Sequence, residues 1–277
     1  LVAGCTGRAE QLVGARSSIG DMTSRAIAKV RSNESQKTGT VCVTNLRDFA
    51  KGYYSAAKSG YLPFLARLPE AESGGPSEGG GGSADGGQTG GSSSGGSGQS
   101  GSGGNADVFD ASKTMLFYEG KRAAVLEAAE TLAFNLAETS TDFAFGEVFA
   151  EENGEPVTFS LKMKISQKSR ALALEGGVPI CSFRIRANAQ IADAATAAGL
   201  DEAAKKTIVP GSVLRAAERE FEEQLTAILK KCADSGCDLF GLKQALYRNF
   251  PREYDAYEKT LLSSARAAYD IRFSTLH

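Results

Sequence analysis

Few side chains in this sequence are spaced for chemistry, and each set has a plainer reading beside it. Glu147, Glu151, Glu152 and Glu155 crowd around an Asn-Gly turn. Paired carboxylates can act as general acid and base, but a solvated hairpin tip carries the same pattern and is the reading taken. Serine and cysteine nucleophiles need a base, and the single histidine, His277, is the last residue. Of the five cysteines, Cys5, Cys42, Cys181, Cys232 and Cys237, only the last two are close, with four residues between them. Zinc sites draw on tighter pairs together with histidine, so Cys232 reads as a free thiol in a helix face and Cys237 as one at its end. The glycine-rich run from 74 to 104 is followed by no Gly-Lys-Ser/Thr and preceded by no strand, which removes the phosphate-loop reading. The sequence therefore assigns no catalytic, cofactor-binding or metal-binding residue, and no cofactor is expected.

Two further groups concern surfaces. Lys162, Lys164, Arg184 and Arg186 fall on the polar side of two alternating segments and would form a basic stripe if neighbouring strands bring them together. Such a stripe could meet an acidic partner or lipid headgroups. Asp238, Leu239, Phe240 and Gly241 follow a long helix: Asp238 is placed to cap the next helix, and Gly236 to end the previous one in a left-handed conformation. Across the chain, 31 basic and 33 acidic side chains are well mixed, for a formal net charge of -2. That balance argues against nucleic acid as a partner. No apolar run reaches the ~20 residues that a membrane-spanning helix needs.

The elements that must position these groups follow from periodicity. Val157, Phe159, Leu161, Met163 and Ile165 alternate with polar residues. So do Cys181, Phe183, Ile185, Ala187, Ala189 and Ile191, and then Tyr269, Ile271 and Phe273. Strands with one dry and one wet face predict an antiparallel sheet covered by helices on one side only. The cover is the stretch Pro210–Pro251. Leu214, Ala217, Phe221, Leu225, Ile228, Leu229 and Cys232 recur there at helical spacing, and a break and a second helix follow. Further strands are expected at Thr40–Val43, Thr114–Tyr118 and Phe143–Phe149. Helices are expected over residues 17–35, from Leu46 to a stop at Gly60, and at Ala123–Glu138. Leu1–Cys5 reads as a strand before a helix, or as a lipobox with Cys5 as the lipidated cysteine. The fold class is α+β in three parts: a smaller α+β segment at 1–72, a disordered Gly/Ser-rich linker at 73–106, and an α+β domain at 107–277.

Several segments of the last part resemble the C-terminal domain of the Ger(x)C family, the lipoprotein C subunits of spore germinant receptors. They are MLFYEGKRAAVLEAAET, with Leu126, Glu130 and Thr131 in its helix, and CDLFGLKQALYRNFPREY, with Asp238–Gly241, Tyr247-Arg248, Pro251 and Tyr254. LVAGCTGRAEQL and VTNLRDFAKGYYSAAKSGYLPFLARLP are similar to part of the family's middle domain. The resemblance implies a non-enzymatic receptor subunit that acts with membrane A and B subunits in nutrient-triggered germination. It further implies a lipid anchor holding the protein to the outer face of the spore inner membrane. Cys5 would then be internal, and the chain a fragment whose anchor lies upstream. An extracytoplasmic small-molecule binding module, or an enzyme of unrecognised type, is the alternative.

Overall fold

The computed structural model describes residues 2–5, 7–10, 39–68, 108–139, 141, 143–152, 155–196, 199–200 and 208–275. The helix expected over 17–35, the Gly/Ser-rich run and His277 lie outside them.

Two sheets share one core. The first has the order β1 (Gly4–Cys5), β2 (Ser59–Leu68), β3 (Val108–Tyr118), β4 (Lys121–Leu126). The second is built on β5 (Ala144–Glu152), β6 (Glu155–Glu175) and β7 (Val178–Thr196), with β8 (Gly199–Leu200) and β9 (Arg266–Thr275) along the far side of β7. The helices are α1 (Leu46–Tyr53), α2 (Ala128–Glu138), α3 (Gly211–Ser235), α4 (Leu242–Asn249), α5 (Tyr254–Tyr257) and α6 (Leu261–Ser264). The class is α+β, as read from the alternation. Two details differ: β1 lies parallel to β2, and β9 lies parallel to β7 from Ile180↔Arg266 to Ala189↔Thr275, so both sheets are mixed. A chain that returns through α3 to α6 has the length for the crossover that a parallel neighbour requires.

Three local expectations are overturned. Residues 40–43 are irregular although Val41 and Cys42 are buried, and they join no strand ladder. Lys121–Leu126 is a strand, and the helix expected from Ala123 starts at Ala128. The cause is the two-residue turn at Glu119 and Gly120, whose φ values of 49° and 78° suit the tight hairpin that pairs Tyr118 with Lys121. The Glu127 backbone N–H then donates to Glu130 Oε2 at 2.7 Å and opens α2. Finally, α1 ends at Tyr53 instead of Gly60, which sits in β2, and α1 buries no side chain.

The long helix behaves as its periodicity required. Val213, Ala217, Phe221, Leu225, Ile228 and Cys232 are buried along one stripe of α3, while Leu214 and Leu229 fall at its margin. Beneath the helical layer, Phe240 meets Phe134 and Phe183 edge to face, at centroid distances of 6.1 and 5.1 Å. Tyr61 from β2 packs on Phe134 at 5.0 Å, which joins the first sheet to the same core.

Candidate functional surfaces

The Asp238 corner is a capping device. Its Oδ1 and Oδ2 accept the backbone N–H groups of Leu242 and Lys243 at 2.7 and 2.8 Å, two donors that the first turn of α4 leaves free. Its own N–H donates to Ser59 Oγ at 2.8 Å, which ties the corner to β2. Asp238 is buried, and desolvation pushes its carboxyl above the ordinary aspartate value against the pull of those two N–H groups. Gly236 takes the expected left-handed conformation, with φ 74°. A crevice of about 270 Å³ opens between this corner and α1, lined by Asp48, Ser59, Asp238 and Gln244 together with apolar residues such as Phe49 and Leu239. The buried Thr44 also borders it, and its hydroxyl has no hydrogen-bond partner.

A second group of charges, mostly half-buried, links helices and sheet. Lys231 of α3 donates to Glu130 Oε2 at 2.6 Å and to the Val125 carbonyl at 2.9 Å, so one ammonium bridges α3, α2 and β4. Arg170 pairs with Glu138 at 2.9 Å, and Lys168 donates to the Leu136 carbonyl at 3.2 Å and to that of Thr139. Burial pushes Glu138 up and Lys168 down, each opposed by the charge of its neighbours. Sequence reasoning missed Lys168 and Arg170 because the alternation of β6 changes phase. Ile165 pairs with Ala187 and Gln167 with Arg186, a bulge that leaves Ser166 as the extra residue and turns Lys168 and Arg170 inward. The signal was present. Counting back by twos from Leu174 and Leu172 reaches Arg170 and Lys168, out of step with Val157–Ile165.

The basic stripe is partly assembled. Lys162 and Lys164 sit opposite Gln190 and Asn188, while Arg184 and Arg186 both bind Asp270 of β9, at 3.1 and 2.8 Å. Those two arginines hold the Asp270 carboxyl below its ordinary range. Lys162 stands over the Phe143 ring at 4.3 Å. Glu147 and Glu151 are exposed on β5; the side chains of Glu152 and Glu155 lie outside the description. Cys42, Cys181, Cys232 and Cys237 are buried, and desolvation pushes the Cys42, Cys181 and Cys237 thiols up to about 12. Among the described residues, no three metal-ligating side chains converge.

A larger hollow runs between α2, α3 and β5. The inward residues of β5 are small, Ala144, Gly146, Val148 and Ala150, and they face the alanines of α2 and Ala217 of α3. The gap they leave, about 430 Å³, is floored by Leu132, Met163, Phe221 and Phe273. Glu220 and Gln224 of α3 stand on its wall, and exposed Glu147 lies at its β5 edge. Glu220 is half-buried, and desolvation, then Glu223 and Glu147, push its carboxyl up.

Fold and surfaces together define a two-sheet α+β protein in which Glu130, Glu138, Arg170, Lys231 and Asp238 join its own elements. The family described as "Spore germination B3/ GerAC like, C-terminal" matches residues 112–273, and the chain belongs to that family. Its fold is similar to that of a solved structure, the crystal structure of the GerBC protein, with a TM-score of 0.52. The likeness covers 99% of this chain and 68% of that one at 14% sequence identity, and is therefore one of fold. No curated protein matches the sequence.

Proposed function

We propose that the chain is part of a C subunit of a spore germinant receptor and acts with the membrane A and B subunits in nutrient-triggered germination. On this reading it is not an enzyme. It is held by a lipid anchor at the outer face of the spore inner membrane and works through its surfaces. Residues 107–277 form its C-terminal domain, and residues 1–72 are part of the middle domain. The observation that carries the reading is the family match over residues 112–273. The structure supports a role in contact: Glu130, Glu138, Arg170, Lys231 and Asp238 all act as ties between elements.

The test is co-purification of the tagged full-length protein with its A and B subunits from spores, together with a germination assay of a deletion strain. Co-purification and a nutrient-specific germination defect are expected. Normal germination of the deletion strain without any association would remove the proposal. One observation favours a second reading, a small-molecule binding module: the cleft under β5 lies within the ~300–1,000 Å³ range of ligand sites.

A further inference from the structure

The cleft between α2, α3 and β5 combines two features that ordinary surface hollows lack together. Its floor is apolar, built from Leu132, Met163, Phe221 and Phe273, because β5 turns only small side chains inward. Its α3 wall carries the Glu220 carboxylate and the Gln224 amide, exposed Glu147 lies at the β5 edge, and no lysine or arginine is among the described residues that line it. The neighbours that act on Glu220, Glu223 and Glu147, are both acidic and push its carboxyl up. A half-buried carboxylate in this setting is stabilised by any group that brings a positive charge and hydrogen-bond donors without water.

We propose that this cleft binds a small primary amine with an apolar body, its ammonium at Glu220 and Gln224 and its hydrocarbon part on Leu132, Met163 and Phe221. An ammonium has three donors and no acceptor, which suits the Glu220 carboxylate and the Gln224 amide oxygen, four residues apart on one side of α3. A carboxylate-bearing ligand would be repelled, and a neutral one would leave Glu220 without a counter-charge. The cleft has room for a molecule the size of phenethylamine, since ~300 Å³ already suffices for a ligand site. This inference goes beyond the receptor role and does not depend on it: failure of amine binding leaves the co-purification result untouched, and the reverse.

The experiment is ligand-observed NMR and calorimetry on the full chain with three probes of one shape, phenethylamine, 2-phenylethanol and 3-phenylpropionate. Phenethylamine is expected to bind saturably, the alcohol roughly tenfold or more weakly, and the acid not at all. Glu220→Gln keeps the shape and removes the charge, and should weaken the amine by roughly tenfold or more while leaving the alcohol unchanged. Ala129→Phe, at an exposed position on the rim, should block all three probes. If that variant fails to fold, the probe series and Glu220→Gln still decide. Equal binding of amine and alcohol, unchanged amine binding in Glu220→Gln, or no saturable binding at millimolar amine would each overturn the proposal.

Discussion

Both carboxylate oxygens of Asp238 hold the first turn of α4, so the side chain cannot be shortened without freeing two N–H groups in a nearly dry corner. Asp238→Ala should lower the unfolding free energy by about 2 kcal/mol, at the upper end for a helix cap. Asp238→Asn, which keeps one acceptor, should cost less; denaturant titration of the three proteins checks the order. Glu220 makes the opposite case. Its carboxyl is raised by desolvation and by Glu223 and Glu147, so its favourable contribution is present below the unfolded value of 4.5 and is lost as pH rises through the folded one. In the absence of ligand, Glu220→Gln should therefore raise the melting temperature at pH 7 to 8, with the difference closing as pH falls toward 4.5. A variant less stable than the parent at pH 8 would contradict that reading of the cleft wall. The capping role of Asp238 was legible in the sequence, since an aspartate before a helix has few other uses. The position of Glu220 was not, because the helical period places it beside the dry face and only the small residues of β5 leave it a hollow to line.

Among the elements, β6 is the one whose sequence needed the structure to be read correctly. Its alternation was legible over Val157–Ile165, as was that of β7, and together they announced the sheet and its helical cover. One extra residue at Ser166 then inverts the pattern and sends Lys168 under the C-terminus of α2, where it meets carbonyls that the last turn leaves free. Lys168→Met should cost roughly 1.5–3 kcal/mol, the range for hydrogen bonds to a charged group. Amide exchange should speed up in the last turn of α2, notably at the Thr139 N–H bonded to Asn135, while the β6–β7 ladder stays protected. The strand β4 was hidden for a different reason. Ala-Ala-Val-Leu suits helix or strand, and the choice is made by the hairpin turn before it and the α2 cap after it.

At the scale of the molecule, the Gly/Ser-rich run separates two stretches that share a sheet and a core. β2 pairs with β3 from Ser59↔Tyr118 to Leu68↔Val108, Asp238 bonds Ser59, and the Asn135 side chain donates to the Gly39 carbonyl at 2.7 Å. A protease site placed between residues 74 and 104 should thus yield two fragments that co-elute on gel filtration and part only in denaturant. Fragments that separate in buffer would show that the ladder does not hold them. The parallel pairing of β9 with β7 bears on how the protein answers mechanical load. A pull at Thr275 along the axis of β9 strains the rungs from Ile180↔Arg266 to Ala189↔Thr275 in shear, all at once, where a pull across the strands would unzip them singly. Load applied along β9 is thus shared by the whole ladder it makes with β7.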